Sequence, residues 1–283
     1  MLKFVLHHFF VVFMPLKSNL YAFITLLYLV YIPIYMHRIY SLFLVILMAA
    51  SAACAQEKRV QNRPYTDLRP FHLGIVVGTH MQDLELDNVG PQTITAPDGT
   101  VIEGNVSVDQ HNWEPGFNVG VLGELRLNEY FAFRMAPQLY FGTRNIAFHN
   151  FNADTQRGEA VETKESVKTV YVGGNFDLVY AAQRFNNHRP YLMMGIAPMM
   201  NLSTGSSDYI RLKKSDVFFE VGLGCDLYLP FFKLRPELKF MYGLSDCLDT
   251  SYINTMNNNT ALPYAKSISK AHSKMIVLSF YFE

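Results

Sequence analysis

From about residue 70 to the end, the chain repeatedly enters stretches of about 10 to 13 residues in which apolar and polar positions alternate, with aromatics and glycine frequent. Phe232, Leu234, Pro236, Leu238 and Phe240 fall on one side of such a stretch; Lys233, Arg235, Glu237, Lys239 and Met241 fall on the other. Val217, Phe219, Val221, Leu223, Cys225 and Leu227 alternate with Phe218, Glu220, Gly222, Gly224, Asp226 and Tyr228. Phe117, Val119, Val121, Leu125 and Leu127 oppose Asn118, Glu124 and Arg126, while Phe131, Phe133, Met135, Leu139 and Phe141 oppose Arg134, Gln138 and Tyr140. A period of two is the signature of a strand with unlike faces.

The pattern predicts eight strands, near residues 71–81, 116–127, 130–142, 167–181, 189–200, 216–229, 232–245 and 273–283. Their connections alternate in length. Long polar ones are expected near 82–115, 143–166, 201–215 and 246–272, and short ones near 127–129, 183–188 and 229–231. A soluble barrel or sandwich would turn polar residues outward and has no reason to alternate its loops this way. The expected fold is therefore all-β: an eight-stranded antiparallel transmembrane barrel of the outer-membrane type, with long external loops, short periplasmic turns and both termini periplasmic. The last stretch carries Ile276, Leu278, Phe280 and Phe282 on one face and ends one residue after an aromatic. That ending resembles the signal read by barrel-assembly machinery; an ordinary amphipathic edge strand is the alternative.

The chain has 283 residues, 50% hydrophobic and 17% charged, which excludes disorder. Lys and Arg (24) balance Asp and Glu (24), so no basic excess is available for nucleic acid. Residues 1–55 hold Lys3, Lys17, Arg38 and no acid, leaving a net charge of −3 on the remainder, 21 bases against 24 acids. From Met36, MHRIYSLFLVILMAASAACA reads as a signal peptide over 36–55, with cleavage expected after Ala55 and Gln56 as the first mature residue. Cys54 raises a lipoprotein reading, disfavoured because Ser51, Ala52 and Ala53 lack the Leu-like residue expected before a lipidated Cys. Residues 1–35, with an apolar run from Asn19 to Tyr35, read either as a membrane anchor or as sequence upstream of a true start at Met36; a complete signal peptide beginning at its own Met favours the second. Cys225 and Cys247 are expected to be unbridged small hydrophobes, because Cys225 would lie opposite about residue 236 and Cys247 about 35 Å further along at about 3.3 Å per residue.

A barrel of eight strands has an interior just filled by side chains. The inward set Glu124, Arg126, Arg134, Asp177, Glu220, Asp226, Lys233, Arg235, Glu237 and Lys239 is thus expected to pair within itself as a structural charge network, and a passive pore is disfavoured. His80 and His111, with Asp83, Glu85 and Asp87 between them, read either as a metal or acid–base site or as an acidic loop flanked by ordinary histidines; no metal-ligand spacing supports the first. There is no phosphate-binding glycine motif. Gly74, Gly78, Gly116, Gly120, Gly123, Gly173, Gly174, Gly222 and Gly224 lie in strands, where they relieve crowding in a narrow lumen. No enzyme activity, cofactor, metal or small-molecule substrate is expected, and the partners expected are outer-membrane lipid and protein.

Three blocks narrow the reading further. Arg59–Gly74 (RVQNRPYTDLRPFHLG), Glu220–Leu238 (EVGLGCDLYLPFFKLRPEL) and Ala271–Glu283 (AHSKMIVLSFYFE) resemble the PorT family, whose members are outer-membrane barrel proteins needed by the type IX secretion system. The resemblance spans essentially the whole chain after the leader, and the Pro, Arg and Cys positions it uses are not demanded by alternation. It implies a non-enzymatic part in exporting proteins with C-terminal type IX signal domains, in some bacteria also supporting gliding motility, through contacts with that machinery. Residues 1–35 have no counterpart in the family pattern. The polar, Pro-punctuated segment 56–70 precedes the expected barrel at 71–283 and would lie in the periplasm. Its Arg59, Arg63, Tyr65, Asp67 and Arg69 either dock a periplasmic partner or belong to a strap packed beneath the barrel.

Overall fold

The computed structural model describes residues 60–96, 99–110, 112–153, 161–203, 209–255 and 260–283. Segment 1–35, the expected signal peptide and its expected cleavage site, Cys54, Arg59 and His111 lie outside the described residues. Among the described residues eleven strands form: β1 (Phe71–Asn88), β2 (Gln92–Thr95), β3 (Val101–Gly104), β4 (Val106–Asp109), β5 (Glu114–Arg126), β6 (Phe131–Asn150), β7 (Glu162–Ala181), β8 (His188–Asn201), β9 (Ser215–Tyr228), β10 (Lys233–Gly243) and β11 (Ile268–Phe282). Eight of them, β1 and β5–β11, pair antiparallel in a closed ring in which β1 lies between β5 and β11 and β6 pairs β7. Starting at Tyr191 on β8, the register passes through Gly224, Glu237, Ser279, Gly78, Asn118, Tyr140 and Tyr171 and returns to β8 at Asn201, ten residues further on. Eight strands with that shear tilt about 40° from the barrel axis and enclose a backbone cylinder about 8 Å in radius.

Short turns gather at one end. Between β5 and β6, Asn128 Oδ1 accepts the N–H groups of Tyr130 (2.8 Å) and Phe131 (2.7 Å), an Asx turn that reverses the chain locally. Between β7 and β8, Asn186 adopts φ 51. Outward positions form an apolar belt: on β1 it runs from Phe71 to Met81, about 25 Å along the axis at this tilt, matching the hydrocarbon band such barrels present. The belt ends where the outward residues become Asp83, Glu85 and Asp87. Glu85 pairs with Lys274 at 2.9 Å, and Lys274 and Lys270 stand opposite Asp83 and Asp87 on β11.

Several strands run past this boundary, so the expected polar loops are partly strand. β1 continues to Asn88, β6 to Asn150, β7 begins at Glu162 and β11 at Ile268. The physical reason is a reversal of phase. Within the belt apolar residues face out, whereas above it Leu84, Ile146, Phe148, Val167 and Ala271 face in and the polar residues face water. With Val106, Val108, Ile210, Leu212, Cys247, Leu248 and Ile268 they make a second apolar core across the loop end. There β4 pairs with β6 where β5 has ended, and Asn88 docks it by donating to Val108 O (2.9 Å) and accepting from Val108 N (2.7 Å).

Pro137, Pro198 and Pro236 sit inside barrel strands at outward positions, and the ladder skips two residue pairs at each. Pairing jumps from Gly120–Gln138 to Gly123–Met135 at Pro137, from Gly173–Met199 to Phe176–Ile196 at Pro198, and from Gly224–Glu237 to Leu227–Leu234 at Pro236. A residue without N–H cannot complete its ladder pair. Among the described residues the two cysteines are free: Cys247 is buried in the loop-end core and Cys225 is half-buried on β9.

Candidate functional site

The inward phase of each strand delivers polar side chains to the lumen in layers. Nearest the turns, Glu124 on β5 accepts both terminal nitrogens of Arg235 on β10, at 2.6 and 2.8 Å, and Nε of Arg134 on β6 at 3.2 Å. Arg134 also donates to Glu237, and its guanidinium carbon lies 5.2 and 4.9 Å from the ring centres of Tyr191 and Tyr281. The hydroxyls of those two tyrosines donate to Glu237, each at 2.9 Å. Arg235 Nε is 2.8 Å from Asp226, and Lys233 Nζ is 2.6 Å from Glu283, which also holds His72. One layer further in, Lys239 Nζ lies 2.8 Å from Glu220, whose two oxygens accept Asn175 Nδ2 at 2.9 and 2.8 Å. Asn118 and Gln138 (2.9 Å), then Thr169 and Gln82 (3.1 Å) and Arg144 with Ser273, fill the space up to the loop-end core.

Inward glycines admit these large groups. A Cβ on Gly224 would come within 2.4 Å of the Tyr191 ring, and one on Gly116 within 2.4 Å of His80 Nε2. Gly123 and Gly174, expected to relieve lumen crowding, lie at outward positions instead, because they share the phase of Val121 and Val172.

Of the ten residues expected in the lumen network, nine are buried within the barrel. Arg126 has the inward phase but sits at the rim, donating to Asn128 O (3.2 Å) and Leu68 O (3.4 Å), because β5 ends there. The Asp177 carboxyl is buried beside that of Glu220 and forms no ion pair with a cation among the described residues. His72, Tyr191, Tyr281, Asn175, Arg144 and Glu283 complete the lining; their inward phase was available, but tyrosine and asparagine did not announce themselves as charge partners. His80 and the acids Asp83, Glu85 and Asp87 do not form a joint site. They lie on one strand, with His80 turned into the lumen and Glu85 and Asp87 exposed on the outer wall. Among the described residues no cluster of His, Cys, Asp and Glu could hold a metal ion.

The segment before β1 is a strap across the turn end. Asn187 Nδ2 donates to Val60 O at 3.1 Å and Asn62 Nδ2 to Tyr228 O at 3.0 Å, which anchors the strap beside β8 and β9; it then crosses the opening to β1. Arg63 Nη1 donates to Glu283 O at 2.9 Å. Arg184 donates to Asn62 O, approaches Asp67 at 3.6 Å and lies 3.6 Å over the Tyr228 ring, while Asp67 accepts the Tyr228 hydroxyl and is 3.8 Å from Arg189. Thr66 is buried beneath it. Arg63 and Asp67 therefore face the barrel, whereas Tyr65 and Arg69 are exposed. Between strap and wall remains a cavity of about 30 Å³, room for one or two waters, lined in part by Asp67, His72, Arg134, Arg189 and Tyr191.

A closed antiparallel ring with an apolar outer belt and a charged, self-paired interior is a transmembrane β-barrel of the outer-membrane class. The chain belongs to the outer membrane protein beta-barrel domain family, whose model matches residues 54–249. No curated protein matches it by sequence. Among solved structures it is similar to the outer membrane protein OprG from Pseudomonas aeruginosa, at 13% identity and a TM-score of 0.42 over 74% of this chain and 93% of that one. Neisserial surface protein A gives 9% identity and 0.37, over 75% and 98%. Ail, the attachment invasion locus protein of Yersinia pestis, gives 12% and 0.32, over 76% and 100%.

Proposed function

We propose that this outer-membrane barrel is a component required for type IX protein secretion, working without enzymatic activity through contacts with other proteins, with its turn end, strap and termini in the periplasm. The observation that carries the reading is the closure of the lumen: ion-paired side chains fill it, an apolar core covers its loop end and a strap crosses its turn end. Such a barrel has no passage for a polypeptide, so its work is done at its surfaces. The PorT-like blocks at Arg59–Gly74, Glu220–Leu238 and Ala271–Glu283 supply the direction. The second reading is a general structural outer-membrane barrel, favoured by the pairing of lumen charges with one another at Glu124–Arg235, Arg134–Glu237 and Glu220–Lys239. Deleting the gene and restoring it from Met36 onward separates them. The secretion reading expects proteins with C-terminal type IX domains to accumulate in the periplasm on deletion and return to the surface on restoration. An unchanged location leaves the structural reading.

A further inference from the structure

The strap has an outer side that its anchoring does not use. Arg63 and Tyr65 both adopt positive φ, 48 and 66, on either side of Pro64, a backbone region that costs a side-chain-bearing residue about 1–2 kcal/mol. This double kink turns Tyr65 away from the barrel, and the 3-10 turn Thr66–Leu68, closed by Leu68 N–H to Tyr65 O (3.1 Å) and Arg69 N–H to Thr66 O (3.1 Å), holds the next residues rigidly beside it. The result is a Tyr65 side chain 79% exposed and Leu68 59% exposed, next to an exposed Arg69. Lipid does not account for them. The wall residues that meet lipid at this end, such as Phe131, Phe133 and Phe232, lie on the barrel strands or at their ends, whereas the strap crosses the open mouth from the β8–β9 side to β1. Strain maintained by surrounding contacts at an exposed position points to use.

The charge around this knob is one-sided. Arg63, Arg69, Arg126, Arg184 and Arg189 gather at the turn end, against Asp67, Glu129 and Glu283 among the described residues there; Arg63 is bonded to Glu283 and Arg184 and Arg189 approach Asp67, so the positive excess rests on Arg69 and Arg126. We propose that Tyr65, Leu68 and Arg69 are a docking knob for a periplasmic protein whose matching surface is an apolar pocket rimmed by carboxylates. The inference rests on the preceding reading only in placing the turn end in the periplasm. An amphipathic aromatic, an aliphatic neighbour and an arginine on a pre-ordered turn have the composition of an interface hot spot, and the arginine excess steers an acidic partner.

The test is photocrosslinking in living cells with p-benzoylphenylalanine in place of Tyr65, and in place of Val101 at the loop end as the control; if the first variant fails to fold, judged by heat-dependent mobility, Leu68 carries the label instead. The expected result is a discrete protein adduct absent from the control. Its yield falls at least tenfold when Arg69→Glu, together with Leu68→Ala where Tyr65 carries the label or Tyr65→Ala where Leu68 does, is added to a barrel that still folds, and the partner identified from it binds purified barrel more weakly as salt rises. Label transferred only to lipid, label confined to the chain itself, or an adduct indifferent to these substitutions overturns the proposal. The outcomes separate from those of the secretion assay: an adduct of this kind in cells whose secretion survives gene deletion keeps the knob and removes the secretion role, and blocked secretion without an adduct does the reverse.

Discussion

Arg134 is the residue on which the lumen network turns, and replacing it with Met isolates the energetic logic of that network. The side chain is fully buried, bonds Glu124 and Glu237 and lies over two tyrosine rings. After Arg134→Met, Glu124 keeps the two-pronged contact from Arg235 at 2.6 and 2.8 Å, so little is lost there. Glu237 keeps only the hydroxyls of Tyr191 and Tyr281 and becomes a buried carboxylate without a cation of its own. Breaking a buried pair by removing one partner costs about 3–5 kcal/mol. The unfolding equilibrium should therefore shift by roughly a thousandfold. Adding Glu237→Gln removes the stranded charge while leaving an acceptor for the tyrosine hydroxyls, so the double variant should recover to within about 1–2 kcal/mol of the parent. Urea titration of the barrel folded into phosphatidylcholine vesicles, followed by fluorescence of the single tryptophan, Trp113, and by heat-dependent mobility, reads both. A single variant within about 1 kcal/mol of the parent, or a double variant whose losses simply add, refutes the reasoning.

Three further outcomes follow from other parts of the molecule. Phe148→Ala removes a buried ring that meets Tyr209 and Tyr264 edge-on at 5.4 and 5.7 Å; it should cost about 3–5 kcal/mol and expose the loop end to added protease while the belt stays folded. Arg184→Ala removes the bonds to Asn62 O and Arg63 O and the contacts with Asp67 and the Tyr228 ring, which should free the strap and raise chymotryptic cleavage after Tyr65 and Leu68 about tenfold without unfolding the barrel; unchanged cleavage would show that the strap is held by something else. In the loop before β11, burial raises the Asp246 carboxyl, but the N–H groups of Ala271 and Leu248 and the Lys213 ammonium outweigh it and hold the group below the usual carboxylate value. A depressed folded value gives stability that is present above the ordinary carboxylate range and lost as pH falls through the folded value. Loop-end amide protection factors, taken relative to the intrinsic exchange rate at each pH, should thus fall on acidification below about pH 4, and Asp246→Asn should flatten that response.

What could be read from the sequence stops at the edge of the belt, and the reason is physical. Between Phe131 and Phe141, or between Phe232 and Phe240, lipid on one side and packed charge on the other enforce one phase, and reading that phase put Glu124, Arg134, Glu220, Asp226, Lys233, Arg235, Glu237 and Lys239 together before any coordinates. At Asp83 the outer medium changes from hydrocarbon to water. The same alternation then means the opposite orientation, with Leu84 inward and Asp83, Glu85 and Asp87 on the outer wall; read as an acidic loop, the stretch concealed seven residues of β1. Ile146 and Phe148 were lost in the same way, and with them the core that closes the loop end. The strap illustrates a different limit. Its sequence advertised arginines and a tyrosine, but the division between Arg63 and Asp67 turned inward and Tyr65 and Arg69 turned outward depends on two left-handed backbone positions that neither propensity nor period encodes. A barrel whose phase reverses at a water boundary must end its apolar belt there whatever lies above. The pattern to look for in such chains is therefore a run of alternation in which the charged positions change parity, because that change marks both the membrane surface and the start of a second, water-facing core.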